Sequence, residues 1–275
     1  MPHTERALRL ALELAGTDLS PYKERMITRG LRTRALETGC AGVAQYLDAL
    51  EARGDWARSE ALHLAATLCP KVSGFFRDPE AFSALEQFVY PALFNRTSGG
   101  PVRVWSAACS RGQEAYSLVI SLRRWVRELS PGAAFGVLGT DLDEEALAAA
   151  RAGVYTAREI EGAPPWVLEE AFEPLPGGRL GLRSEIRALA KFRRQDVLDD
   201  ARRPKGFDLI ACRNLLIYLR RPVQESLILS LREALSPGGF LLLGITETVL
   251  GKPWKAFEHV SPRWRIYRKP EGAGG

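Results

Sequence analysis

Cysteine, histidine and methionine are scarce in this 275-residue chain, at four, three and two copies. The cysteines stand far apart, at 40, 69, 109 and 212, and form no CxxC pair. That spacing excludes a zinc ribbon and a disulfide framework and fits a reducing compartment, the cytoplasm. His3, His63 and His259 are scattered, so no metal site and no histidine-based catalysis is expected. No apolar run approaches the roughly 18 residues of a membrane span, and a protein embedded in a bilayer is not expected. The opening stretch MPHTERALRLALELAG mixes Glu and Arg among its apolar residues and reads as a helix, not a signal peptide. A Gly-Lys-Ser phosphate loop and a full GxGxxG are both missing. Internal repeats and low-complexity segments are absent as well.

What remains is an ordinary globular balance, 46% hydrophobic and 26% charged, with a net charge of +5. The length allows one large domain or two small ones. The arginine pairs at 193–194, 202–203 and 220–221 read as solvated faces, and no nucleic-acid partner is expected.

Residues 4–65 read as short helices. Ala7, Leu10, Ala11 and Leu14 recur at helical spacing, Gly16 stops that helix, and Ser20-Pro21 reads as the next start. The second helix carries Lys23, Arg25, Arg29, Arg32 and Arg34 against one acid, Glu24. Residues 69–78 interrupt the pattern, and Asp78-Pro79 restarts a helix with Asp78 as the expected cap. From residue 101 the period changes. Strands are expected at 102–107, 135–140, 207–211 and 240–244, with helices at 113–127, 144–152 and 223–235 between them. Residues 264–268 are a candidate last strand, Ser236-Pro-Gly-Gly a turn, and 172–195 a small antiparallel excursion. Alternation of strand and helix predicts a mostly parallel sheet covered on both faces. The expected organisation is a helical domain at 1–68, a linker at 69–78 and an α/β domain at 79–275.

In such sheets ligands sit at the carboxyl ends of strands. After the first strand comes SAACSRGQEAYS, small residues running into a helix N-terminus. After the second comes Gly139-Thr140-Asp141, an acid placed to accept hydrogen bonds from ribose hydroxyls. Without a phosphate loop, the pair favours a nucleoside cofactor lacking pyrophosphate, of which S-adenosylmethionine is the commonest. After the strand at 207–211 come Arg213, Asn214 and Tyr218; Cys212 reads as a small packed hydrophobe.

Four segments, SGFFRDPEAF, VWSAACSRGQEAYSL, GTDLDEEALAAARAGVY and FDLIACRNLLIYL, resemble the CheR-type chemotaxis receptor methyltransferases, SPGGFLLLGITE and the basic helix Lys23–Arg34 agree, and the similarity holds in order and spacing over nearly the whole chain. The resemblance implies a class I S-adenosylmethionine-dependent methyltransferase fold, Rossmann-like, with a small antiparallel β-subdomain and an all-helical N-terminal domain. It implies transfer of a methyl group to glutamate side chains on the cytoplasmic helical domain of a methyl-accepting chemoreceptor, leaving S-adenosylhomocysteine. Asp141 would bind the ribose, Glu114 the cofactor's ammonium, and Asp196 and Val197 would lie by the adenine. Arg213 and Asn214 would line the same pocket. Arg77 would sit beside methyl donor and substrate, and Tyr218 would close the other side. Where many members carry Asn and Thr, this chain has Lys71 and Ser73; where they carry two acids, it has Gln113-Glu114. Ser73 keeps the hydroxyl, and Lys71 would meet the cofactor's carboxylate as a cation.

An ionised carboxylate needs no general base to attack a sulfonium methyl. Catalysis by positioning is therefore expected, with Arg77 orienting the carboxylate and Tyr218 packing beside it. Arg25, Arg29 and Arg32 fall on one helical face and form the expected docking surface for an acidic receptor helix. The segment FEPLPGGRLGLR holds a tight turn at Gly177-Gly178, shorter than the turn with which some members hold a receptor's C-terminal peptide. A monomer that works without that peptide tether is expected. The competing readings are a noncatalytic S-adenosylmethionine-binding signalling adaptor and an RNA methyltransferase.

Overall fold

The computed structural model describes residues 2–68, 73–95, 100–199, 203–247 and 251–272, and the chain divides into two compact units. The first holds four helices, α1 (His3–Ala15), α2 (Glu24–Glu37), α3 (Val43–Glu51) and α4 (Asp55–Leu68), together with the segment Leu215–Gln224. Their apolar stripes share one core: Ala7, Leu10 and Ala11 meet Ile27, Leu31, Tyr46, Leu47, Leu50 and Leu64. Gly16 ends α1 in the left-handed conformation, as its position predicts. The expected start of α2 at Ser20-Pro21 is not observed. Ser20 turns its N–H and hydroxyl to the Asp18 carboxylate, and the following backbone is extended because it pairs with 218–220. Lys23 N–H donates to Tyr218 O at 2.9 Å and Arg220 N–H to Pro21 O at 2.8 Å, so the helix waits until Glu24. Inside this unit Glu60 is almost fully buried. It accepts from Arg34 Nε and Nη2, both at 2.7 Å, and from the Tyr46 hydroxyl at 2.8 Å, which ties α2, α3 and α4 together.

The second unit is built on strands β1 (Val102–Ala107), β2 (Phe135–Asp141), β3 (Val154–Thr156), β4 (Phe172–Leu175), β5 (Arg179–Leu182), β6 (Ala190–Arg194), β7 (Phe207–Cys212), β8 (Leu235–Leu243), β9 (Glu258–Ser261) and β10 (Ile266–Arg268). Its helices are α5 (Pro79–Ala84), α6 (Tyr90–Phe94), α7 (Gln113–Leu129), α8 (Glu144–Ala152), α9 (Ala157–Ile160), α10 (Pro165–Ala171), α11 (Ser184–Arg187) and α12 (Arg221–Ala234), whose first turn lies in the segment grouped with the helical unit. A π-helical turn, Leu85–Val89, joins α5 to α6.

Seven strands form one sheet in the order β6-β2-β1-β7-β8-β10-β9. Those from β6 to β8 pair in parallel, and β10 runs antiparallel to both neighbours. Near-continuous burial along β1, β7 and β8 shows strands covered on both faces. The chain order reverses between β1 and β7, which makes their carboxyl ends the place for a ligand.

Three expectations need correcting. The antiparallel excursion is not 172–195: β5 pairs with β4 and also with β3, while β6 leaves to extend the large sheet. Short segments carry too little pattern to name their partner. The turn expected at 236–239 is an irregularity within β8, where register against β7 shifts between Phe207 and Leu209 and Gly238 adopts φ 71°. Residues 73–78, expected as part of a linker, belong with the second unit.

Candidate active site

The loop from β1 to α7 has left-handed backbone at Ala108 (φ 61°), Ser110 (φ 51°) and Gly112 (φ 85°). Two of these are not glycine, and such backbone persists only where its surroundings hold it. Cys109 N–H donates to Thr140 O at 2.9 Å, and Ser110 N–H to Asp141 Oδ2 at 2.7 Å. Gly112 admits no side chain: a Cβ there would lie 2.8 Å from Ala150 Cβ. Asp141 also accepts from Asp143 N–H at 3.0 Å through Oδ1. Its neighbour on the next strand end is Gln195, whose N–H donates to Asp141 O at 3.0 Å. Asp196 follows and turns its carboxylate to Leu198 N–H at 2.8 Å; Val197 is buried. The sheet thus brings Ser110, Asp141, Asp196 and Val197 to one rim. Burial pushes the Asp141 carboxyl up, and the N–H groups of Asp143 and Ser110 work against that shift.

Glu114, in the first turn of α7, accepts from the Ser106 hydroxyl at 2.7 Å. Its other oxygen lies 3.6 Å from Arg213 Nη1. Burial raises its pKa as well, opposed by Arg213, the Ser106 hydroxyl and Arg77. A desolvated carboxylate gains from a further cation, and an incoming ammonium supplies one. Arg213 is almost fully buried, lies 5.8 Å from the Phe82 ring centroid and ion-pairs with Asp78 at 2.6 Å.

Asp78 is therefore not the side-chain cap its position before Pro79 suggests. Its backbone is left-handed (φ 57°), it makes no capping bond, and its carboxylate goes to Arg213. The two residues before Arg77 are anchors. Phe75 packs edge-on against Tyr155 and Phe172, with centroids 4.9 and 5.3 Å away, while Phe76 meets Phe82 at a tilt and Trp166 edge-on, at 4.8 and 5.6 Å. Phe76 N–H donates to Ser117 Oγ at 2.8 Å. Arg77 itself is exposed.

The other expected residues fall as follows. Ser73 is half-buried at the start of this segment, and Lys71 lies outside the described residues. Asn214 is left-handed (φ 59°), and its N–H donates to Glu247 Oε2 at 2.9 Å. Tyr218 ends a short 3-10 turn, Leu216–Tyr218, in the segment grouped with the helical unit. Arg25, Arg29 and Arg32 are exposed on α2, and Arg29 also donates to the Leu68 carbonyl at 3.2 Å. Cys212 is fully buried and its thiol is pushed well up, which removes it as a nucleophile. Asp78, Ser117 and Glu247 were not foreseen as parts of the site. Glu247 is a buried acid four residues beyond the apolar strand β8, and it accepts from Gly244 N–H at 2.6 Å. An acid in that place cannot stay buried without donors, which is the signal that would have exposed it.

The residues present fit S-adenosylmethionine. Glu114, in the first turn of α7, and Asp141, at the end of β2, are desolvated acids, and Ser110 Oγ and Gln113 Oε1 are buried without a protein partner. The sheet order, the antiparallel strand inserted near its end and this acid-lined rim define a class I methyltransferase. Residues 71–266 match the CheR methyltransferase SAM-binding domain, and residues 3–69 the CheR methyltransferase all-alpha domain. Chemotaxis protein methyltransferase 1 of Pseudomonas aeruginosa is 35% identical over 65% of this chain and 66% of its own length. Chemotaxis protein methyltransferase Cher2 of Pseudomonas putida is 30% identical over 89% and 90%. The chemotaxis protein methyltransferase of Listeria innocua is 33% identical over 86% of each. The chain belongs to the CheR methyltransferase family. It is an S-adenosylmethionine-dependent methyltransferase of chemotaxis-type signalling. Among the described residues no helix is long and apolar enough to cross a membrane.

Proposed function

We propose that the chain methylates glutamate carboxylates on the cytoplasmic helical domain of a chemoreceptor. The observation that carries this reading is the placement of Arg77. Arg77 is an exposed residue on a segment anchored on both sides, near enough to the buried Glu114 to act on its charge. In this reading Glu114 holds the cofactor's ammonium and Asp141 its ribose hydroxyls, while Asp196 and Val197 flank the adenine. Lys71 and Ser73 serve its carboxylate end, and the backbone at Arg213 and Asn214 completes the wall. Bound S-adenosylmethionine supplies an electrophilic methyl group, which the substrate carboxylate attacks without a general base. Arg77 orients that carboxylate and Tyr218 packs beside it; neither needs to move a proton. Arg25, Arg29 and Arg32 supply a cationic face to an acidic helix.

The loop between β4 and β5 is three residues long, since Leu175 pairs with Arg179. Gly177 and Gly178 both have positive φ, and so compact a turn leaves little room for an added peptide strand. The enzyme then recognises the methylation helix directly, without a C-terminal peptide tether. The free thiols of Cys40, Cys109 and Cys212 accord with work in the cytoplasm. The test is incubation of a receptor cytoplasmic fragment with enzyme and S-adenosylmethionine, followed by mass spectrometry of its peptides. One added methyl group on glutamate is the expected result. Methylation confined to lysine, or to RNA offered alongside, would overturn it.

A further inference from the structure

We infer that Asp78 and Arg213 form a strut that positions Arg77 for methyl transfer; this rests on the role just proposed for Arg77. Arg213 Nη2 donates to two neighbours on the segment at once, the Arg77 carbonyl at 2.8 Å and the Asp78 carboxylate at 2.6 Å. The guanidinium is buried beneath Phe82 and faces Glu114 through Nη1. The backbone it grips is costly to hold. Phe76 and Asp78, on either side of Arg77, have φ 50° and 57°, a conformation that side-chain-bearing residues adopt rarely. Ser117 Oγ holds the first of these residues and Arg213 the second. Arg77 therefore stands at the centre of a backbone fixed at two points, and only one of the two is ionic.

The strut also joins two ends of the site. The same guanidinium that faces Glu114 fixes the Arg77 carbonyl. Asp78 itself is a positioning residue: it acts through Arg213 and the backbone of Arg77.

A double-mutant cycle in single-turnover methyl transfer tests this. Asp78→Asn keeps the shape and a residue at ease with positive φ. It is expected to slow transfer roughly 10-fold, the lower bound for a hydrogen bond to a charged group, with S-adenosylhomocysteine affinity changed less than about threefold. In an Arg77→Ala background the same change is expected to cost less than about twofold, since the residue it positions is gone. Asp78→Gly, which relieves the backbone while deleting the carboxylate, should show the same dependence on Arg77. An equal loss in both backgrounds, or a wild-type rate for both Asp78 variants, overturns the strut. A wild-type rate for Arg77→Ala alone overturns the underlying reading of Arg77 instead.

Discussion

Ser110 donates its backbone N–H to Asp141 Oδ2 at 2.7 Å, across the gap between the first two strand ends. The bond couples the acid to the left-handed loop before α7, so the carboxylate both faces the rim and shapes it. Asp141→Ala therefore removes hydrogen bonds to the ribose and frees the loop. At about 1.5–3 kcal/mol for bonds to a charged group, S-adenosylhomocysteine affinity should fall roughly 10- to 150-fold, measured by calorimetry. Unchanged affinity removes Asp141 from the site.

The pH dependence of binding should differ in sign from that of folding. Burial holds Glu114 and Asp141 above the ordinary carboxylate range. Both must be ionised to receive the cofactor, so affinity falls as pH drops through these raised values, earlier than exposed carboxylates near pKa 4 would cause. In the cofactor-free chain the folded state binds more protons than the unfolded one. The contribution of these groups to stability is then present below the unfolded pKa and lost as pH rises through the folded pKa. Calorimetry over descending pH should show affinity in the wild type weakening before ordinary carboxylates begin to protonate, and a flatter profile in Glu114→Gln. A profile that Glu114→Gln leaves unchanged contradicts the assignment.

The Glu60 clasp should dominate the stability of the helical unit. Glu60→Ala leaves Arg34 and Tyr46 without their shared acceptor. Breaking a buried pair from one side costs about 3–5 kcal/mol, and because Arg34 keeps its ion pair with Glu37 the loss should fall at the lower end of that range. Tyr46→Phe, which removes one bond to a charged group, should cost about 1.5–3 kcal/mol in urea unfolding. A loss below about 0.5 kcal/mol for Glu60→Ala would show that the clasp contributes nothing measurable.

Recognition by the α2 face is best probed away from Arg29, whose bond to Leu68 O makes it partly structural. The double change Arg25→Glu, Arg32→Glu should slow receptor methylation, and added salt should slow the wild type more than the variant. Deleting the receptor's C-terminal peptide should leave the rate unchanged. A large drop on that deletion, with micromolar binding of the isolated peptide, would show a tether instead.

The parts of this fold that rest on local pattern were legible in the sequence. The first strand, its small-residue loop and α7 follow one another directly, and Asp141 ends a strand whose period is plain. What escaped depends on contacts between distant residues. Asp78 reads locally as a cap, and only the fold brings it to Arg213, 135 residues away. β3 has three residues and gains its identity from pairing with β5. The extended run at Pro21–Lys23 is dictated by partners near residue 219, which no window around Ser20 contains.

Methylation of a carboxyl group is distinguished from other methyl transfer by the lability of its ester to base. Enzyme and methyl-labelled S-adenosylmethionine are incubated with membranes containing the cognate receptor, and the labelled receptor is then treated with mild base. Ester chemistry predicts release of the label as methanol, with transfer slowed to a residual, measurable rate in Arg77→Ala while that variant still binds S-adenosylhomocysteine. Label that stays on the receptor through base treatment would contradict the account.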